Sequence, residues 1–96
     1  MLVVVAYDVR TETPQGAKRL RRVAAVCKNY GVRVQYSVFE CLLEPAQWIS
    51  LKHKLLKEID QDEDSLRFYF LGKNWRSRLE HVGVKKSYDQ EEPLVI

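Results

Sequence analysis

Six residues in succession near the start of the chain, Leu2-Val3-Val4-Val5-Ala6-Tyr7, carry neither charge nor polar alternation. A run this apolar and this rich in β-branched side chains suits a central strand covered on at least one face. Asp8 stands at its exit. The period then changes: Ala17, Leu20, Val23, Ala24, Cys27 and Tyr30 recur at helical spacing. Thr13 is placed to cap that helix, with Pro14 as its first residue. Gly31 falls where a left-handed C′ residue would close it.

Between Val32 and Glu44 the residues Val32, Val34, Tyr36, Val38, Phe39, Leu42 and Leu43 favour extended structure, interrupted near Tyr36-Ser37. Two short strands or one bent strand both fit. Glu44-Pro45 opens a second helix with Trp48, Leu51, Leu55 and Ile59 on one stripe and Lys52, His53 and Lys57 off it. The acidic run from Asp60 to Asp64 would oppose the macrodipole in a last helical turn, so it is placed just beyond, in a turn. Leu66 to Leu71 is another strand, ended by Gly72 and followed by the basic aromatic stretch Lys73 to Arg78. The rear adds short extended pieces around Leu79, Val82-Gly83-Val84 and Pro93-Leu94-Val95-Ile96. An apolar terminus is expected to dock as an extra C-terminal strand, on a partner subunit.

The order βαββαβ predicts an α+β protein. Two helices with one apolar stripe each can both cover one face of a four-stranded antiparallel sheet, the ferredoxin-like sandwich. With 96 residues and no Gly, Ser or Pro tract to mark a linker, residues 1–96 are expected to form a single domain. A chain this short buries a modest fraction of its surface, which makes completion by self-association a reasonable expectation. Leu2 to Tyr7 is far too short to span a bilayer and has no basic flank or small-residue cleavage site, so a cytoplasmic location without membrane is expected. Cys27 and Cys41 lack the spacing of a zinc site, redox motif or disulfide framework and are expected to be reduced, structural thiols.

Net charge is only +3, but it is unevenly placed. Before Val38 the chain holds Arg10, Lys18, Arg19, Arg21, Arg22, Lys28 and Arg33 against Asp8 and Glu12. Lys18, Arg21 and Arg22 fall away from the apolar stripe and can point outward together, which suits the phosphates of a nucleic-acid backbone. A merely solvated helix face is the competing reading.

Asp8 is the candidate for chemistry. A carboxylate at the end of a rigid strand can ligate a hard cation, and Arg10 and the basic helix follow as phosphate-holding neighbours. Magnesium typically uses one or two carboxylates plus waters and phosphate oxygens, so one Asp per subunit suffices if a two-fold axis supplies the second. The plainer alternative is a turn-forming Asp that bonds nearby backbone amides. Trp75 among Lys73, Arg76 and Arg78 is read first as interface packing and second as a base-stacking ring. His53 and His81 fit no metal or general-base spacing. Asp60, Asp62 and Asp64 imitate the start of a calcium loop, but Ser65 and Leu71 occupy its glycine and closing glutamate positions.

Val5-Ala6-Tyr7-Asp8-Val9, the basic helix ending in Tyr30-Gly31, the segment Arg33-Val34-Gln35-Tyr36-Ser37-Val38-Phe39-Glu40 and the closing Pro93-Leu94-Val95-Ile96 strongly resemble the CRISPR-associated protein 2 family. The resemblance covers essentially the whole chain, and the Arg33 to Glu40 segment is its specific part. It implies a ferredoxin-like homodimer whose last strand completes the neighbouring sheet. It implies Asp8 as the catalytic and metal-binding residue, Mg²⁺ as cofactor, and hydrolysis of phosphodiester bonds in RNA or double-stranded DNA. It further implies a place in spacer acquisition, with the dimer bridging two dimers of the CRISPR integrase. Tyr7, Arg19, Arg22, Arg33, Ser37 and Phe39 match in type and place the residues linked with nucleic-acid handling in that family, the helix positions having several possible registers. Two functions follow: a metal-dependent endonuclease, or a duplex-DNA-binding scaffold in which Asp8 does no chemistry. No general base is evident in the sequence.

Overall fold

The computed structural model describes residues 1–84. Its elements are β1 (Leu2–Asp8), α1 (Pro14–Lys28), β2 (Val32–Gln35), β3 (Val38–Leu42), α2 (Pro45–Glu58) and β4 (Ser65–Gly72), followed by a short 3₁₀ helix over Trp75–Arg78. The strands form one sheet in the order β2-β3-β1-β4, with every neighbouring pair antiparallel. This is the α+β, βαββαβ arrangement that the periodicity predicts. The continuous apolar character of β1 is explained by its central place, with β3 on one side and β4 on the other.

Alternation along the strands separates two faces. Val3, Val5 and Tyr7 of β1, with Phe39 and Cys41 of β3, form a buried cluster with Val23 and Cys27 of α1 and Leu51 and Leu55 of α2. Trp48 closes the β4 side, its ring edge-on to Phe68 at 4.8 Å and to Phe70 at 4.9 Å. Leu2 and Trp75 are buried apart from that cluster. Trp75 is therefore packed within its own chain, under the Arg76 guanidinium at 4.5 Å, and does not offer its ring to a base.

The helix starts follow their capping residues. Thr13 Oγ1 accepts a hydrogen bond from the Gly16 amide at 3.1 Å. The Glu44 amide donates to Gln47 Oε1 at 2.8 Å, half of a capping box. The interruption near Tyr36-Ser37 resolves into a tight hairpin turn, with a register shift between Arg33 and Gln35. The acidic residues after α2 lie in a turn, as the macrodipole argument requires.

Two expectations need correction. Gly31 is not a left-handed cap, because the positive-φ residues described are Gly72 (φ 77) and Gly83 (φ 104). Asn29 caps α1, and Gly31 is needed for space: a Cβ there would collide with the Glu40 carbonyl oxygen and Cys41 Sγ. Residues 79–84 form no strand, and a 3₁₀ helix precedes them. The expected closing strand at Pro93–Ile96 lies outside the described residues. No helix among the described residues is long and apolar enough to cross a membrane.

Candidate functional site

Strand alternation carries Asp8 to the face of the sheet opposite the helices, in line with Val4 and Ala6 and directly across from Ser65 of β4. Its side chain is exposed at one border of an open cleft of about 550 Å³, lined by residues 8–12 and 62–65. The other acids there are mostly neutralised. Glu12 pairs with Arg10 Nε, Glu63 lies 3.3 Å from Arg10 Nη1, and Asp64 is held by Arg19 at 2.8 Å. The Asp8 carboxylate has no hydrogen-bond or ion-pair partner among the described residues.

These pairings change the roles expected of two arginines. Arg10, read as a phosphate-holding neighbour of Asp8, is committed to Glu12 and Glu63. Arg19 donates from Nε and Nη2 to both oxygens of Asp64, at 2.8 and 3.3 Å, and is only 17% exposed. The Asp64 side chain is enclosed and also accepts the amides of Arg10 and Asp60. Burial alone would raise its pKa, but the Arg19 guanidinium and the two amides hold it below the ordinary carboxylate value. Sequence reading missed Asp64 because it sits inside an acidic run that looks like a solvated turn.

Tyr7 and Phe39 point toward the helices and are buried, with ring centroids 6.2 Å apart. Neither ring is displayed to a polymer. Arg33 lies over the Phe39 ring at 5.1 Å and remains exposed, so the aromatic pair serves as its platform. The Tyr7 hydroxyl is buried without a hydrogen-bond partner. Burial pushes its pKa up, and nearby Arg33 offsets part of the rise. Ser37 sits in the β2–β3 turn, where its carbonyl accepts the Tyr7 amide at 3.1 Å. That bond ties the turn to the end of β1, one residue before Asp8.

Lys18, Arg21 and Arg22 are exposed and, with Ala25, line a shallow groove on the outer side of α1. The outward grouping read from helical spacing is thus present. This groove does not include Asp8, so cationic surface and carboxylate are separate places on one chain.

No group of three or more His, Cys, Asp or Glu side chains able to hold a metal occurs among the described residues. One chain therefore offers a hard cation a single exposed carboxylate on a rigid strand end. That donor set suits magnesium, which retains water and phosphate ligands, and does not suit a fully protein-ligated zinc site.

The chain matches the family described as "CRISPR associated protein Cas2" over residues 1–79. It is 59% identical to the CRISPR-associated endoribonuclease Cas2 of Nitratidesulfovibrio vulgaris, covering 100% of this chain and 94% of that one. Against the protein of the same name from Chlorobaculum tepidum it is 60% identical over the full length of both. Among solved structures, Streptococcus pyogenes Cas2 at pH 6.5 is similar with a TM-score of 0.75 and 58% identity, over 86% of this chain and 100% of that one.

Proposed function

This chain belongs to the CRISPR-associated protein Cas2 family, and on that premise we propose that it is a magnesium-dependent endonuclease acting as a homodimer in CRISPR spacer acquisition. The observation that carries this reading is the state of Asp8: exposed at the end of a central strand and without a cationic partner among the described residues, while Glu12, Glu63 and Asp64 beside it are paired and Asp62, the other unpaired acid of the cleft, sits on a turn rather than a strand. The endoribonuclease and endonuclease names of its relatives support the reaction class.

The Asp8 carboxylates of the two subunits would hold the magnesium, whose chemistry there would be charge neutralisation at the phosphodiester and a more acidic water. The remaining work falls to side chains of this chain. Arg22 and Arg33 hold backbone phosphates of RNA or double-stranded DNA, and the Ser37 hydroxyl orients the substrate at the end of β1. Arg19 acts indirectly, by fixing the loop after Asp8 through Asp64.

The test is Asp8→Ala in the full chain, with labelled RNA and duplex DNA, in magnesium or in chelator. Cleavage should vanish while duplex binding persists. Retained magnesium-dependent cleavage would sink the proposal.

One observation favours a second reading, a non-catalytic duplex-DNA scaffold that partners the CRISPR integrase. The groove of Lys18, Arg21 and Arg22 lies apart from Asp8, so it can grip a backbone without presenting it for cutting. On that reading Asp8→Ala supports spacer integration as wild type does, and wild type cuts nothing.

A further inference from the structure

The loop and helix arginines closest to Asp8 in sequence are occupied by carboxylates, which leaves the question of what would hold a phosphate beside it. The strands answer it. In β1 and β4, Ala6 pairs with Arg67 and Asp8 with Ser65, so Ser65, Arg67 and Tyr69 share the face of Asp8. Arg67 is a diagonal cross-strand neighbour of Asp8, a relationship that places side chains about 7–8 Å apart. The other basic strand residue described, Arg33, pairs with Phe39 on the helix side. Arg67 is thus the only basic residue that the described strands bring to the face of Asp8.

Its chemical state differs from that of Arg10 and Arg19. Arg67 is exposed and has no carboxylate partner among the described residues. Its Nη1 donates to the Tyr69 hydroxyl at 3.2 Å. A neutral hydroxyl takes one N–H and leaves the positive charge and the other donors of the fork available.

We propose that Arg67 is the phosphate-binding residue of the Asp8 centre and that Tyr69 is the positioning residue for its guanidinium. The ligand is the phosphodiester backbone of a nucleic acid, gripped by the planar fork next to the carboxylate that takes the metal. This assignment rests on the reading of Asp8 given above and adds to Arg22 and Arg33 a cation on the sheet face of Asp8 itself. A guanidinium aimed at the phosphate stabilises charge that develops as the bond breaks, most strongly in a site with little water.

The experiment compares Arg67→Ala, Arg67→Lys, Tyr69→Phe and Asp8→Ala in the full chain. Binding of labelled RNA and duplex DNA is measured in chelator, and cleavage in saturating magnesium. Arg67→Ala should weaken binding in chelator and lower the salt slope by about 0.7 for single strands or about 0.9 for duplex, one phosphate contact. Its cleavage rate should fall about a hundredfold, the size typical of losing one charge-stabilising donor. Its magnesium requirement should stay unchanged, and added guanidinium ion should restore part of the rate. Arg67→Lys should recover binding better than rate, since an ammonium cannot make the fork. Tyr69→Phe should lower the rate less than Arg67→Ala and respond to neither guanidinium nor added magnesium.

Unchanged binding, salt slope and cleavage in Arg67→Ala overturn the proposal. So does a loss that coincides with a fall in molar mass by light scattering, since Arg67 would then be a subunit contact. If wild type binds but cuts neither substrate while Arg67→Ala binds more weakly, the catalytic reading of Asp8 fails and the phosphate contact of Arg67 stands.

Discussion

Arg19 and Asp64, 45 residues apart in the chain, meet in a two-point ion pair with Nε–Oδ2 at 2.8 Å and Nη2–Oδ1 at 3.3 Å. The same carboxylate accepts the Arg10 amide at 3.1 Å and the Asp60 amide at 2.9 Å. One buried side chain thus joins α1, the loop after Asp8 and the turn before β4. Removing it would leave the half-buried Arg19 guanidinium and two amides without their acceptor.

Asp64→Asn should therefore lower the thermal midpoint at neutral pH by several degrees. The pH dependence is also fixed in sign. A carboxyl held below its unfolded value stabilises the fold above the ordinary carboxylate range and loses that contribution as pH falls through the depressed folded value. Wild type should lose stability below about pH 4, where free carboxylates begin to protonate. Asp64→Asn should lose less over the same interval. Thermal melts across the acid range check this, and parallel curves for the two proteins would count against it.

The exposed groove on α1 predicts a different response. Lys18→Ala, Arg21→Ala and Arg22→Ala should each leave the thermal midpoint nearly unchanged, because these side chains make no ion pair among the described residues. Each should reduce the slope of log affinity against log salt by about 0.9 on duplex DNA if it contacts one phosphate. Arg19→Ala should do the reverse, costing stability first. Salt titrations of binding, paired with melts, separate the two classes.

The architecture was legible because β1 is apolar throughout while α1 and α2 each carry one stripe, and those periods admit few packings. Thr13 and Pro14 marked a helix start through local bonding, which sequence spacing reports well. What escaped the sequence was pairing at a distance. Nothing local distinguishes Asp64 from Asp62, yet only Asp64 meets Arg19. Arg67 looked like an ordinary strand residue until the register with β1 placed it diagonal to Asp8. Gly31 was read by a helix-end rule, whereas its reason is the approach of β3.

Cys27 and Cys41 are fully buried, and burial pushes both thiols up to about 12. The reactive form is the thiolate, so neither should react with a thiol reagent in the native protein near neutral pH. Both should react once denaturant unfolds the chain. Labelling followed by intact mass should give zero modifications when folded and two when unfolded; rapid single labelling of the native form would mean that one thiol is reached through local opening.

Phe39 poses the sharpest test of how the aromatic residues serve the site. Its ring is buried, stacks on Tyr7 and lies under the exposed Arg33 guanidinium, so it can support a phosphate ligand without touching one. Phe39→Ala should cost about 3–5 kcal/mol through lost apolar burial and the cavity left behind, which would mask any effect on binding. Phe39→Leu is more informative, because it retains a large apolar side chain in the core while removing the aromatic face beneath Arg33. Its nucleic-acid affinity should fall toward that of Arg33→Ala, and the double variant should bind no worse than Arg33→Ala. Residues that act as a unit behave in this non-additive way. Full additivity of the two losses would instead mean that Phe39 and Arg33 meet the nucleic acid separately, and the platform would not exist.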